Sequence, residues 1–137
     1  SREEVIYETY AKTINIEALT MIDMAVKQIL PAVIEYTGTL SGIIQSLKAV
    51  DVTPTVQTEL LRDIMSLLNE ANAAVRVLRK VTAEASGIQD NEERAHYYHD
   101  HVMAAMDDLR RPIDKLEMLV DKEVWPMPSY GDLIFEV

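Results

Sequence analysis

The residues best suited to chemistry in this chain are three histidines, His96, His99 and His101, which surround Asp100. Glu93 and His96 have the Glu-x-x-His spacing with which helical carboxylate bundles hold paired metal ions. Such a site needs a second copy of the motif, and the sequence contains none. By helical periodicity Glu93 and His96 lie off the apolar face, and His99 lies at its edge. We therefore expect a solvated or partly buried histidine cluster; a metal-dependent bundle enzyme is a weaker alternative.

Other catalytic patterns are weaker still. Neighbouring acids such as Asp107 and Asp108 point about 100° apart on a helix and cannot act as a carboxylate pair. The four glycines are scattered, so no phosphate-binding loop is predicted. The chain has no cysteine, which excludes disulfides and thiolate metal sites. We predict that this stretch carries no catalytic, cofactor-binding or metal-binding residue.

The charge of the chain limits its partners. A net charge of −10 over 137 residues argues against nucleic acid and against an anionic membrane surface. No apolar run approaches the roughly 20 residues of a membrane span. The acidic opening Ser1-Arg2-Glu3-Glu4 is no signal peptide, and without a starting Met we expect a processed or cut-out piece. The absence of cysteine suits a reducing compartment, and we expect a cytoplasmic location.

Helical periodicity dominates the rest of the chain, and the first helix is predicted from about Glu3 to Ala49. Its apolar residues form two rows of heptads, a pattern typical of helices that pack at about 20°. The first row is Leu19, Val26, Val33, Leu40 and Leu47, and the second is Ile22, Ile29, Tyr36, Ile43 and Val50. Ala11, Ala18, Ala25 and Ala32 lie beside the rows, and Pro31, Gly38, Glu17 and Gln45 lie opposite. Pro31 should kink the helix without ending it, because the heptads continue in phase on both sides.

Two further helices follow. The second is predicted from Pro54, with Thr53 as N-cap, to Ser86, where Gly87 should adopt the left-handed conformation. Its apolar row is Leu61, Ile64, Leu68, Ala71, Val75 and Leu78, with Leu60, Leu67, Ala74 and Val81 beside it. The third should open with a capping box formed by Asp90 and Glu93 and end by Glu123. Its row is Ala95, Tyr98, Val102, Ala105, Leu109, Pro112, Leu116 and Leu119, widened by Met106, Ile113 and Val120, and Pro112 should kink or split it.

Short loops at 50–53 and 87–89 make sequential helices antiparallel neighbours. The predicted fold is all-α: an antiparallel up-down-up bundle of three long helices over residues 1–123. Because the first helix is the longest, its opening residues 1–17 should project beyond the other two.

The last fourteen residues, 124–137, break the helical pattern. They hold the only Trp and the only Phe of the chain, and Pro126, Pro128 and Gly131 prevent a helix through them. We expect an extended aromatic tail that belongs to the same domain. Because the transfer of apolar side chains out of water lowers the free energy, the tail should dock either on its own helices or on a partner.

Two segments of the chain resemble one family. The first is Tyr10-Ala11-Lys12-Thr13-Ile14-Asn15-Ile16-Glu17-Ala18-Leu19-Thr20-Met21-Ile22-Asp23-Met24-Ala25, which continues to Gln28-Ile29-Leu30-Pro31-Ala32-Val33. The second is Leu116-Glu117-Met118-Leu119-Val120-Asp121-Lys122-Glu123-Val124-Trp125-Pro126, followed by Pro128-Ser129-Tyr130-Gly131-Asp132-Leu133. Both are similar to the C-terminal helical region of type III glutamine synthetases, the large bacterial form. The resemblance extends over essentially the whole chain, although residues 45–95 contribute little to it.

The resemblance implies a parent enzyme that joins ammonia to glutamate with ATP and divalent metal ions, as a large ring-stacked oligomer. The catalytic domain would lie upstream, and none of its metal, nucleotide or glutamate residues maps onto this stretch. The partners implied are therefore that domain and neighbouring subunits. Pro31, Trp125, Tyr130, Leu133 and Phe135 are the candidate docking residues, since buried aromatic residues carry much of the energy of an interface. An independent helical protein-interaction module is the alternative.

Overall fold

The computed structural model of the protein describes residues 1–128, and the regular secondary structure in that range is entirely helical. We name three helices. Helix α1, residues 2–49, consists of an α-helix Arg2–Met24, a π-helical segment Ala25–Ile29 and an α-helix Leu30–Ala49. Helix α2 is Thr55–Ser86. Helix α3, residues 91–119, consists of Asn91–Tyr97, a π-helical segment Tyr98–Val102 and Met103–Leu119.

The π-helical segment of α1 lies directly before Pro31. In this wide turn the backbone N–H of Leu30 donates to the carbonyl of Ala25, five residues back. Pro31 has no N–H to donate and its ring crowds the carbonyl of Lys27, so a widened turn at this point lets the helix continue. The prediction that Pro31 does not end the helix is confirmed.

The apolar face of α1 shifts by one residue across this segment. Before it, the buried side chains are Ala11, Ile14, Ala18 and Ile22; within it, they are Ala25 and Ile29; after it, they are Leu30, Val33, Leu40 and Ile44. The heptad step from Ala25 thus leads to Val33, eight positions on, because the π turn takes up one extra residue. The prediction that the heptads stay in phase is therefore wrong. Each predicted row is correct on one side only: Leu19 is 51% exposed and Val50 is 67% exposed.

Helix α2 has the predicted core but different ends. Its buried residues include Ile64, Ala71 and Leu78, as expected. The helix begins at Thr55, and the N-cap position is held by Pro54 without a side-chain cap, so Thr53 is not the cap. Gly87 follows the helix as predicted, but its φ of −84° is right-handed. In that conformation the N–H of Gly87 donates to the carbonyl of Glu84. The left-handed stop predicted at Gly87 therefore does not form.

The left-handed residue lies instead in the first loop, at Asp51, with φ of 59°. The N–H of Asp51 donates to the carbonyl of Lys48, and the N–H of Val52 donates to that of Leu47. These two bonds form a Schellman motif, which satisfies the last carbonyls of α1. Aspartate is one of the few residues other than glycine that tolerate this conformation.

Helix α3 runs through Pro112 without splitting and ends at Leu119, four residues earlier than the predicted limit. Its predicted core is confirmed, with Val102, Leu109 and Leu116 completely buried. The carboxylate of Asp90 accepts a hydrogen bond from the N–H of Glu93 at 3.0 Å, which is the cap half of the predicted box. A reciprocal capping box is present at the start of α1, between Ser1 and Glu4.

The opening turns of α1 lie against α3. Tyr7 contacts His96 and Tyr10 contacts His99, so residue numbers rise together along these two helices. The loop after α2 and the first turn of α3 line a groove together with Ser1, Glu3 and Tyr7, so the first residues of α1 lie beside them. The prediction that residues 1–17 project beyond the bundle is therefore wrong.

The part of α1 that does not pack against α3 lies at its C-terminal end. The last residues of α3, Met118 and Leu119, share a groove with Asp63 and Leu67 of α2, so α3 reaches no farther along α2. Residues 30–49 of α1 pack chiefly on α2. We call residues 34–62 the hairpin region, where only two helices pair. We call residues 2–33, 64–86 and 91–119 the three-helix region.

The chain after α3 folds back onto the core. The backbone N–H groups of Val124 and Trp125 both donate to the carbonyl of Asp121, which forms a turn. Trp125 is only 8% exposed and belongs to the same core cluster as the three helices, with Val124 and Met127 packed against it.

Within residues 1–128 no helix combines the length and the apolarity needed to cross a bilayer.

Candidate functional site

The histidine cluster is exposed and divided among separate contacts. His96 approaches Glu92 rather than Glu93, with 3.8 Å between Nε2 and Oε1. His99 Nδ1 lies 3.0 Å from the Asp100 carboxylate, and this hydrogen bond lowers the pKa of Asp100. Across residues 1–128 no three His, Cys, Asp or Glu side chains come close enough to hold a metal ion together. The Glu-x-x-His spacing therefore assembles no metal site in the described part of the chain.

Each histidine instead lies beside a tyrosine. The ring centroids are 6.1 Å apart for Tyr7 and His96, and 6.5 Å apart for Tyr10 and His99. Tyr97 and His101 are closer, at 4.5 Å. The first two pairs join α1 to α3, so this cluster helps to hold the helices together at the surface.

A buried polar contact lies between the same helices. Tyr98 is almost completely buried, and its hydroxyl donates to Asn15 Oδ1 at 3.1 Å. Burial raises the pKa of Tyr98, although the positive charge of Arg94 lowers it in part. Arg94 in turn donates to the carbonyl of Ile88, which ties the loop after α2 to α3. These groups satisfy one another, and their arrangement is that of a structural contact rather than a reactive one.

The candidate docking residues fall into three situations. Pro31 is exposed on α1, and its side chain is free of the core. Trp125 is buried in the core of this chain, which leaves little of its surface for a partner. Tyr130, Leu133 and Phe135 lie outside the described residues.

From Pro31 onward, the outer side of α1 carries a single charged residue, Glu35, before Lys48. The six exposed residues of this face repeat at spacings of three and four along the helix. They are Pro31, Ile34, Gly38, Ser41, Gly42 and Gln45. We call this surface the neutral face. The sequence analysis placed Pro31, Gly38 and Gln45 opposite the core but did not connect them into a surface. The signal that was missed is the absence of charge from residue 36 to residue 47.

Comparison with known proteins gives one consistent family. A family model described as the glutamine synthetase C-terminal domain matches residues 1–48, which correspond to nearly all of α1. A glutamine synthetase of Butyrivibrio fibrisolvens is 32% identical over 139 residues, covering 100% of this chain and 20% of the relative. A type-3 glutamine synthetase of Dictyostelium discoideum is 30% identical and covers 98% of this chain and 19% of the relative.

A glutamine synthetase of Bacteroides fragilis (strain YCH46) is 28% identical, again covering 98% of this chain and 19% of the relative. The chain thus spans about a fifth of the length of the curated relatives that it matches. The family model over residues 1–48 and the relatives aligned along nearly all of the chain make it similar to the C-terminal domain of glutamine synthetases.

Proposed function

We propose that this chain is the non-catalytic C-terminal domain of a type III glutamine synthetase, and that it stabilises the assembly of that enzyme. The observation that carries the proposal is the pattern of coverage. Relatives match 98–100% of this chain, whereas the chain covers only 19–20% of them. One of these relatives is named a type-3 glutamine synthetase, which supports the assignment to type III.

The chemistry of the parent belongs to the remaining four-fifths. That part would join ammonia to glutamate, with ATP and divalent metal ions bound by its own residues. Residues 1–128 offer no group of three metal-ligating side chains, so they do not fit the metal ions that the reaction needs. The cytoplasm is the expected location, as the lack of cysteine suggests.

A role in assembly requires that the domain keep a rigid shape. We infer that this shape is an up-down-up bundle of the three helices, with bends at Pro31 and Pro112. Contacts of Tyr7 and Tyr10 with His96 and His99 support a parallel arrangement of α1 and α3. The hydrogen bond from Tyr97 to Glu84, together with the groove shared by the start of α2 and the end of α3, supports antiparallel α2 and α3.

The tail has two parts in this proposal. Trp125 fixes the tail to the bundle, which its burial in the core supports. Tyr130, Leu133 and Phe135 then contact the catalytic domain or a neighbouring subunit, together with the exposed Pro31. Large apolar side chains at the end of the chain suit such contacts, because aromatic residues are enriched at the centres of interfaces.

The experiment that tests this function removes residues 129–137 from the full-length enzyme. We expect a lower melting temperature and a smaller assembled fraction by mass photometry, with kcat and KM of the remaining oligomers unchanged. Replacement of exposed Ser66 by Ala serves as a control for handling and expression. Loss of kcat with an intact oligomer and an unchanged melting temperature would instead assign the tail a direct catalytic part.

The competing function is an independent helical interaction module. It predicts that the genomic reading frame does not continue into a large catalytic domain. A reading frame that starts near Ser1 would contradict our proposal, and one that continues upstream would contradict the alternative.

A further inference from the structure

The neutral face differs from the other exposed surfaces of this chain. Charged residues make up 26% of the sequence, yet none occurs from Tyr36 to Leu47. The outward side of a helix in a globular protein normally carries charged and polar side chains that keep it hydrated. On the neutral face, by contrast, Ile34 is 57% exposed, and the only charge between residues 31 and 47 is that of Glu35 beside it. This part of α1 is therefore poorly suited to remain in water.

The hydroxyl groups near this face turn back to their own helix. Ser41 donates to the carbonyl of Gly38 at 2.9 Å, and Thr37 donates to that of Ile34 at 2.6 Å. Thr39 donates to the carbonyl of Glu35 at 3.4 Å. Because these hydroxyl groups donate to their own backbone, few hydrogen-bond donors on this surface point outward.

The two glycines have no role in packing among residues 1–128. A Cβ added at Gly38 or at Gly42 would meet nothing within 4 Å. Neither glycine has a positive φ, so backbone conformation does not require them. Interior glycines weaken a helix relative to alanine. A sequence that breaks a local rule without benefit to its own fold commonly does so at a functional surface.

The third helix of the bundle does not reach this surface. Residues 30–49 pack chiefly on α2, and α3 ends beside Asp63 and Leu67. Among residues 1–128, the hairpin region therefore buries one side of α1 and leaves the opposite side uncovered. The exposed apolar residues Val50, Val52 and Val56 at the loop extend the same uncovered end.

We propose that the neutral face is the docking surface for the part of the glutamine synthetase polypeptide that lies outside this chain. This inference rests on the function proposed above, and it names the surface through which that function acts. About four-fifths of the relatives' length lies outside this chain, so a large partner within the same enzyme is available. The family model matches residues 1–48, and this match contains the whole neutral face. Glycines let a partner backbone approach closely, which suits a densely packed contact.

Two other occupants fit less well. A second copy of this chain would bring together two molecules of net charge −10, which repel each other. Residues 129–137 carry Asp132 and Glu136, and nine residues reach about 30 Å at most. Such a segment could span the face, which is about 21 Å long from Pro31 to Gln45, but the face offers no basic side chain to its two carboxylates.

The test compares two double substitutions in the full-length enzyme. Gly38→Lys with Gly42→Lys places two bulky charges on the neutral face. Asn69→Lys with Ala73→Lys is the matched control, with the same four-residue spacing on exposed positions of α2. Mass photometry measures the concentration at which the oligomer dissociates, and hydrogen exchange measures the amide protection of residues 36–47. We expect at least a tenfold rise in dissociation concentration and a loss of amide protection for the glycine variant, and neither effect for the control.

The same two variants are then measured in the 137-residue chain. Because lysine is a better helix former than glycine and the added side chains meet open space, we expect the glycine variant to melt about 5 °C higher than the parent chain. A lower melting temperature in the isolated chain would show that the substitutions damage the fold, and it would overturn the assignment of these glycines to docking.

Three further results would also overturn the proposal. One is a full-length glycine variant that assembles like the control. Another is an isolated chain that sediments as a dimer and becomes a monomer on glycine substitution, which identifies a second copy as the occupant. The third is loss of amide protection at 36–47 when 129–137 are deleted from the isolated chain, which identifies the tail. If deletion of the tail weakens the full enzyme but the glycine variant does not, this inference fails and the proposed function stands.

Discussion

The three-helix region and the hairpin region follow the same helical rules but reach different degrees of burial. The largest completely buried side chains among residues 1–128 all lie in the three-helix region. They are Val33, Ile64, Leu78, Val102, Leu109, Pro112 and Leu116. In the hairpin region Leu40 and Ile44 are buried between two helices, while Ile34, Ile43, Val50, Val52 and Val56 are exposed. Two helices can cover only one side of each other, so part of every apolar surface there remains in water.

The two regions also differ in what their outer surfaces carry. Outer positions of the three-helix region hold ion pairs such as Lys12 with Glu8 and Lys27 with Asp23. The neutral face of the hairpin region holds glycines and hydroxyl groups instead. Exposed ion pairs add little stability but favour hydration. This difference in outer surface is the basis on which we propose that the hairpin region contacts a partner.

The largest expected effect follows from Trp125→Ala. Because Trp125 is buried in the core cluster, its loss should lower the free energy of unfolding of this chain by about 4 kcal/mol. Urea unfolding followed by circular dichroism measures it. Met127→Ala, at a partly buried position of the same segment, is the control and should cost about 1 kcal/mol. An unchanged midpoint for Trp125→Ala would place this side chain with a partner instead of the three-helix region.

The second effect compares leucines of the two regions. Leu109 is completely buried, so Leu109→Ala should cost about 3 kcal/mol. Leu47 is partly exposed in the hairpin region, and Leu47→Ala should cost about 1 kcal/mol in the isolated chain. The same urea titration reports both. Equal losses would mean that the two regions are packed equally well, and the comparison drawn above would fail.

A smaller effect concerns the hydrogen bond between α1 and α3. Tyr98→Phe removes the bond from buried Tyr98 to half-buried Asn15 and should cost about 1 kcal/mol. Tyr97→Phe removes an exposed bond to Glu84 and should cost less than about 0.5 kcal/mol. Thermal melts of the two variants against the parent chain measure the difference. If Tyr97→Phe proves the more costly, the surface contact rather than the buried one joins α3 to its neighbours.

Tyr98 also gives a dependence on pH. Because burial raises the pKa of Tyr98 in the folded chain, the unfolded chain loses this proton first as pH rises past about 10. Stability from this group is therefore complete below pH 10 and falls as the pH rises toward the folded pKa. Urea titrations between pH 9 and about 11 should show a shallower loss of stability for Tyr98→Phe than for the parent chain. An equal slope would leave Tyr98 without a part in this dependence.

The smallest effect is expected at the tip of the hairpin region. Asp51 has a left-handed backbone in the Schellman motif, so Asp51→Gly should relieve strain and raise stability by about 0.5 kcal/mol. Asp51→Ala lacks both the glycine backbone and the short polar side chain that tolerates a left-handed conformation, and it should lower stability by about 0.5 kcal/mol. Differential scanning calorimetry resolves the two shifts. A destabilising glycine would mean that the Asp51 carboxylate contributes more than its conformation costs.

The sequence by itself determined the helices and most of the core. The cores of α2 and α3 follow from local periodicity, because a regular α-helix repeats its buried face every three or four residues. The ends of the helices were close to prediction for the same reason, since caps and breakers act over one turn. At Glu93 and His96 the sequence predicts too few metal ligands, because a carboxylate bundle needs two copies of the motif.

The tertiary structure decided where those rules are interrupted and which surfaces remain open. The π turn before Pro31 moves the face of α1 by one residue, and a fixed heptad count cannot contain that step. The end of α3 beside Leu67 decides that the uncovered part of α1 is the hairpin region rather than its first turns. Periodicity describes one helix at a time, whereas exposure depends on how far each neighbouring helix extends. For that reason the burial of Trp125 and the openness of Gly38 and Gly42 became visible only when the helices were placed together.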